Sequence, residues 1–169
     1  MEIRKATIAD AEGVARVQVD SWHSTYKHIV PDDYLRRMTY ESRQQKWTDI
    51  IAEQPVYIAV TNEGKIIGFS NGGPERSGKY PGFTGELYAI YILEEHQKNG
   101  LGKRLLEPII HELKQQHLYS MLVLVLGDNA SRFFYENMGA EKLDTVETEV
   151  AGKKLNEVVY GWKDIRKIR

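Results

Sequence analysis

ELYAIYILEEHQKNGLGKRLL, residues 86–106, passes from an apolar run to a glycine pair and then into a helical repeat of leucines. Leu87 to Leu93 is apolar or aromatic at every position, the pattern of a strand covered on both faces, which places it centrally in a sheet. Leu101, Leu105, Ile109 and Leu113 recur at four-residue steps and predict a helix, with Pro108 expected to bend it. Between the two stands Gln97-Lys98-Asn99-Gly100-Leu101-Gly102. Glycine at 100 and 102 lets the chain turn tightly and lets an anion approach the backbone. The N–H groups that open a helix are unpaired and carry the positive end of its dipole. A strand, this turn and a helix therefore form a seat for a phosphate or pyrophosphate, with Lys98, Lys103 and Arg104 beside it.

Two common phosphate motifs do not fit. A P-loop needs Ser or Thr after its lysine, and Gly102-Lys103 is followed by Arg104; a dinucleotide fingerprint needs a third small residue where Leu105 stands.

Outward from this turn, residues 56–60 and 66–69 form a hairpin around the turn signal 62–65, and a Gly- and Pro-bearing loop covers 71–85. Before the hairpin come a short strand, 1–5, and three helical stretches: from a cap at Thr7 or Asp10 through Tyr26, then 32–38, then 40–53. After the long helix, 121–126 is a second continuous apolar strand. Asp128 or Asn129 caps a helix that Gly139 ends. Strands near 142–150 and 155–162 meet at Ala151-Gly152. The order β-α-α-β-β-β-α-β-α-β-β describes a single domain over 1–169. Its class is α/β (α+β), with a mixed, largely antiparallel sheet of about seven strands flanked by helices.

The stretch Asn129-Ala130-Ser131-Arg132-Phe133-Phe134-Tyr135-Glu136-Asn137-Met138-Gly139 adds a second motif. Gln-x-x-Gly-x-Gly after an apolar strand resembles motif A of the GNAT superfamily of acetyltransferases, and this downstream stretch is similar to its motif B. Their spacing and the element order resemble the family across nearly the whole chain. The resemblance implies an N-acetyltransferase that uses acetyl-CoA as co-substrate. It implies that main-chain groups of Ile90 and Ile92 bind the pantetheine arm, with the Ile92 N–H taking the thioester oxyanion. The N–H groups of Lys98, Asn99, Gly100, Leu101, Gly102 and Lys103 are expected to hold the pyrophosphate, with Gln97 also in the cofactor site, and Asn129 to contact the pantetheine arm. Tyr135 aligns with the tyrosine that protonates the leaving thiolate in many members. Glu86 takes the place of a catalytic glutamate found in some, and is the candidate base, directly or through water.

Composition is that of an ordinary single-domain globular chain. The chain has 169 residues, a formal net charge of −1 and no cysteine. The balance gives no general pull towards nucleic acid or a membrane. The missing cysteine excludes a thiol ping-pong route, leaving direct attack in a ternary complex. No metal is expected: His111-Glu112-Leu113-Lys114-Gln115 lacks the second histidine of a zincin. The N-terminus lacks the apolar core of a signal peptide, so the expected location is cytoplasmic. Edge strands allow a homodimer.

The acceptor side is expected among the first helices, at Trp22, His23, Tyr26, Tyr34 and Trp47, with Asp32, Asp33 and Glu86 able to attract a cationic amine. Tyr88 and Tyr91 line the acceptor pocket or pack. A small-molecule amine of polyamine, amino-acid or antibiotic type is the expected acceptor. The alternatives are a protein N-terminus or lysine, or a non-catalytic acyl-CoA-binding regulator.

Overall fold

The computed structural model describes residues 1–168. Strand β1 (Glu2–Lys5) is followed by helices α1 (Ala11–Thr25), α2 (Asp32–Arg37) and α3 (Tyr40–Glu53). Then come β2 (Val56–Val60), β3 (Ile66–Pro74), β4 (Gly85–Ile92), α4 (Leu101–Gln115), β5 (Met121–Leu126), α5 (Arg132–Asn137), β6 (Glu141–Val150) and β7 (Lys153–Trp162). All three helical stretches expected before β2 are formed, one more than the order β-α-α-β-β-β counts. The strands form one seven-stranded sheet in the order β1-β2-β3-β4-β5-β7-β6. Every pairing is antiparallel except β4 with β5.

Helices cover both faces. On one face Val14 and Val17 of α1 and Trp47 of α3 pack with Ile58 and Phe69. On the other, Leu106, Ile109 and Leu113 of α4 pack with Leu87, Met121 and Val123, and Tyr135 of α5 joins them. Pro108 does not end α4, which is helical through it.

The strand read from the apolar run is central, as expected, but its pairing is incomplete. β4 meets β5 only at Gly85–Met121 and Glu86–Leu122; past these the two strands part. Gly85 to Leu87 are buried, whereas Tyr88 to Ile92 are half-buried. The second half of the run is thus apolar without being covered on both faces.

The loop expected over 71–85 is shorter than predicted, because β3 extends to Pro74 and pairs with β4 down to Gly85. Glycine makes this extension possible. A Cβ on Gly72 would stand 2.7 Å from the Glu86 carbonyl oxygen and 2.8 Å from Ile109 Cγ2. In this ladder Asn71 faces Ala89 and Gly72 faces Leu87, so Tyr88 is one extra residue in β4. Such a bulge reverses the alternation of side chains. Leu87 points to α4, while Tyr91, paired with Phe69, lies with Trp22 on the α1 face.

Candidate active site

The turn before α4 is built by backbone conformation. Lys98 and Gly100 both have positive φ, 64° and 77°. Gly100 is the residue immediately before the helix, and a Cβ there would meet nothing within 4 Å. Its glycine is therefore required by the left-handed conformation, not by space. Gly102 differs: its Cβ position lies 3.1 Å from the Phe134 ring, so this glycine admits the packing of α5 against α4. The turn and anion approach expected of both glycines thus apply to Gly100 by its conformation, while Gly102 is explained by packing. The first helical bond runs from the Arg104 N–H to the Gly100 carbonyl, 3.3 Å, which leaves the N–H groups of Leu101, Gly102 and Lys103 without intrahelical partners. Lys98, Lys103 and Arg104 join no ion pair among the described residues. Free donors, a helix dipole and three uncommitted cations suit a pyrophosphate.

The gap between β4 and β5 continues from this turn. The Leu93 N–H donates to the Ile67 carbonyl at 3.0 Å, so Leu93 and Ile67 form a hydrogen-bonded pair of the antiparallel ladder. Alternation then turns the main-chain groups of Ile92 and Ile90 away from β3, towards the gap. Gln97 sits beneath the turn, and its side-chain amide donates to the Ile92 carbonyl, 2.9 Å. The gap thus has backbone groups on one wall and ends at unpaired helix-opening N–H groups, a chemistry suited to an extended amide-bearing chain with a pyrophosphate at its far end.

Tyr135 lies on the α4 face of this gap, buried against Phe134, Tyr160 and Trp162. Burial, with a contribution from Tyr91, pushes its phenol above the ordinary tyrosine value, so it keeps its proton at neutral pH. Asn129 stands before α5. Its Oδ1 accepts from the Ser131 N–H, 2.9 Å, and its amide donates to the Tyr26 hydroxyl, 2.9 Å. One amide proton remains uncommitted, and Tyr26 is thereby tied to the entrance of α5. The ring of Tyr26 stacks on Trp22 with centroids 4.3 Å apart.

Glu86 is buried and fully engaged. Its Oε2 lies 2.6 Å from the Arg76 guanidinium, and its Oε1 accepts the Arg76 main-chain N–H at 3.1 Å. Arg76 also lies over the Tyr88 ring, 4.0 Å from its centroid, and the Tyr88 hydroxyl donates to the Pro74 carbonyl. Arg76 was missed because it sits in a loop with no pattern. Asp33 is committed to an ion pair with Arg36. Asp32 lines a broad depression of about 720 Å³ with Asp20, Glu94, His23, Lys27 and Arg36, whose mixed charges select no one ligand.

A smaller cavity of about 310 Å³ lies between α2, the start of α3 and the β6–β7 turn, lined by Tyr34, Arg37, Met38, Arg43 and Ala151. Arg43 Nε is buried and has no hydrogen-bond partner among the described residues. Tyr34 packs on Trp22, and Trp22 on Tyr91, so aromatic rings connect this cavity to β4.

A profile of the acetyltransferase (GNAT) family matches residues 19–140. The chain belongs to the GNAT acetyltransferase family. As a GNAT protein it is an acyltransferase. It is 38% identical over 167 residues to the uncharacterised N-acetyltransferase YuaI of Bacillus subtilis, covering 99% of this chain and 95% of that one. It is 28% identical over 134 residues to an L-methionine sulfoximine/L-methionine sulfone acetyltransferase of Pseudomonas aeruginosa, covering 76% and 73%. Among solved structures it resembles YncA of Salmonella typhimurium, a putative acetyltransferase determined with acetyl-CoA (TM-score 0.71, 21% identity, covering 96% and 92%). No helix of the described residues is long and apolar enough to cross a membrane.

Proposed function

We propose that this GNAT acetyltransferase moves the acetyl group of acetyl-CoA to the amine of a small acceptor of amino-acid type, by direct attack in a ternary complex. The observation that carries the acceptor class is the cavity at Arg43. A buried guanidinium N–H without a partner costs about 1–3 kcal/mol, which an anionic group of a ligand would recover. Arg37 lines the same small cavity. A carboxylate suits the two guanidinium groups, since arginine meets carboxylates with paired donors. A polyamine would place its cations against them instead. The relative named for methionine sulfoximine and methionine sulfone acts on compounds of the same class.

On the donor side, the first N–H groups of α4 with Lys98, Lys103 and Arg104 hold the pyrophosphate. Ile90 and Ile92 offer their main-chain groups to the pantetheine arm. The Ile92 N–H serves as donor to the oxyanion that forms when the amine adds. Tyr135 gives its proton to the departing thiolate from the α4 face.

The test is release of CoA from acetyl-CoA with a panel of amines: L-methionine sulfoximine, ordinary amino acids, their decarboxylated counterparts and spermidine. An amino-acid type acceptor is expected to exceed its decarboxylated counterpart in kcat/KM. Arg43→Gln is expected to raise the KM for that acceptor by roughly 10–100-fold, the worth of hydrogen bonds to a charged group, with little change in kcat. Preference for spermidine, or indifference to Arg43→Gln, refutes the assignment.

A further inference from the structure

We propose that Glu157, rather than Glu86, takes the proton from the acceptor amine. The proposal rests on the amine-acetylation reading above and adds the residue that reading leaves open. The register of the sheet carries the argument. Glu86 pairs with Leu122, and Glu157 of β7 pairs with Leu126. Paired residues share a face, and so do alternate residues of one strand. Glu86, Leu122, Leu124, Leu126 and Glu157 therefore line one face, the one on which Leu126 packs with Tyr26, just past the end of α1. Leu124, in the middle of a central strand, is 39% exposed. An apolar side chain open to that extent, between the buried Leu122 and Leu126, marks a local opening on this face, and the two carboxylates stand on either side of it. About 13 Å of strand separates the registers of Glu86 and Glu157, at roughly 3.3 Å per residue.

The two carboxylates differ in what they are free to do. Both oxygens of Glu86 already accept from Arg76. Glu157 makes no side-chain hydrogen bond or ion pair among the described residues, although it is only half-exposed. The titratable groups whose charge it feels or acts on are Tyr26 at the end of α1, Glu86 of β4 with its partner Arg76, and Tyr80 of the 75–84 loop, whose hydroxyl donates to Asp144 of β6. Among the described residues no cation forms an ion pair with it. Burial first, and then the charge of Glu86, raise its pKa above the ordinary carboxylate value. That brings a carboxylate nearer to the working range of a general base.

The protons balance. The acceptor ammonium gives one proton to Glu157, which passes it to solvent. The neutral nitrogen forms a bond to the thioester carbon, and the carbon–sulfur bond breaks as the adduct collapses. Tyr135 protonates the thiolate, and the second proton lost from nitrogen restores the phenol. The base and the acid lie on opposite faces of the sheet, so the amine enters from one side and the sulfur leaves on the other.

The test compares wild type, Glu157→Gln and Glu86→Gln in the CoA-release assay from pH 5 to 10. L-methionine sulfoximine and spermidine are assayed separately, so that a failed amino-acid assignment leaves this test standing on spermidine. Wild type is expected to lose kcat/KM in acid as Glu157 gains its proton. Glu157→Gln is expected to lose about 10²-fold at neutral pH, to lack that acidic limb, and to approach wild type where the amine is neutral unaided; its affinity for acetyl-CoA is unchanged. Glu86→Gln keeps the acidic limb. A Glu157→Gln enzyme within threefold of wild type with its limb intact overturns the proposal, as does transfer of these effects to Glu86→Gln. Carbon-13 NMR of the Glu157 carboxyl needs no acceptor. Titration above the ordinary range supports the assignment, and titration within it overturns the assignment.

Discussion

Removing Arg76 should cost more than removing the charge it pairs with. The Glu86 side chain is 5% exposed, whereas that of Arg76 is 61% exposed. Arg76→Ala leaves a carboxylate buried with only the main-chain N–H at 3.1 Å. Breaking a fully buried pair in this way costs about 3–5 kcal/mol. Arg76 is mostly in water, which screens its attraction and reduces what it contributes. The lost cation–π contact with Tyr88 adds at most about 1 kcal/mol at an exposed site. About 2 kcal/mol is the expected loss, equivalent to a Tm lower by roughly 4–8 °C in a chain of this size. Glu86→Gln leaves the guanidinium in solvent, where it is well hydrated, and the amide oxygen still accepts the main-chain N–H; about 1 kcal/mol is expected. Adding Glu86→Gln to Arg76→Ala should restore part of the loss, because it neutralises the stranded charge. Urea unfolding of the four proteins measures the cycle. An Arg76→Ala cost below about 0.5 kcal/mol, or a double variant less stable than Arg76→Ala, would refute the reasoning.

Two further outcomes concern the donor side. Gly100→Ala introduces no clash but forces a side chain into a left-handed conformation, costing about 1 kcal/mol and displacing the first N–H groups of α4; calorimetry should show weaker CoA binding, with Gly100→Asn less affected than Gly100→Ala, and equal affinity in all three would remove the turn from the pyrophosphate site. Tyr135→Phe should lower turnover by roughly 10²-fold while CoA affinity stays within about threefold; unchanged turnover would deny the phenol its role as acid.

The strand–turn–helix of 86–106 was legible because its signals are local: an apolar run, a residue that must turn left-handed, a four-residue repeat. The features that make it a site were not local. The parting of β4 from β5 depends on where a strand more than thirty residues away sits, and nothing in the apolar run separates its buried half from its open half. Gly102 was read as room for an anion because its neighbour Phe134 comes from another helix. Arg76 lies among loop residues whose spacing has no period. Arg43 stands on a helix that is polar on most faces, where one buried guanidinium nitrogen leaves no trace in the pattern. Glu157 did leave a signal. Leu155, Glu157, Val159 and Gly161 share one face of β7, and an acid in an otherwise apolar row is the mark of a carboxylate kept away from bulk water.

The division of labour between the two faces follows from the split itself. A sheet closed between β4 and β5 would hide Ile90 and Ile92 main-chain groups in a ladder and would separate Tyr135 from the opening at Leu124 by a continuous layer of backbone. Opening it at Glu86–Leu122 exposes those groups and joins the two faces at one point. The tilted aromatic contacts from Tyr34 through Trp22 to Tyr91, and the Tyr26–Asn129 hydrogen bond, then bind α1 and α2 to both sides of the opening. Asn129 both caps the approach to α5 and holds Tyr26 at the end of α1, so on the proposed reading a donor seated beside it would act on the wall that the acceptor meets. A Tyr26→Phe variant removes only that bond, worth about 1 kcal/mol, and leaves the Trp22 packing in place. Its acceptor KM should then respond less to saturation with donor than that of wild type. An unchanged dependence of acceptor KM on donor concentration would show that the two halves are joined by packing alone.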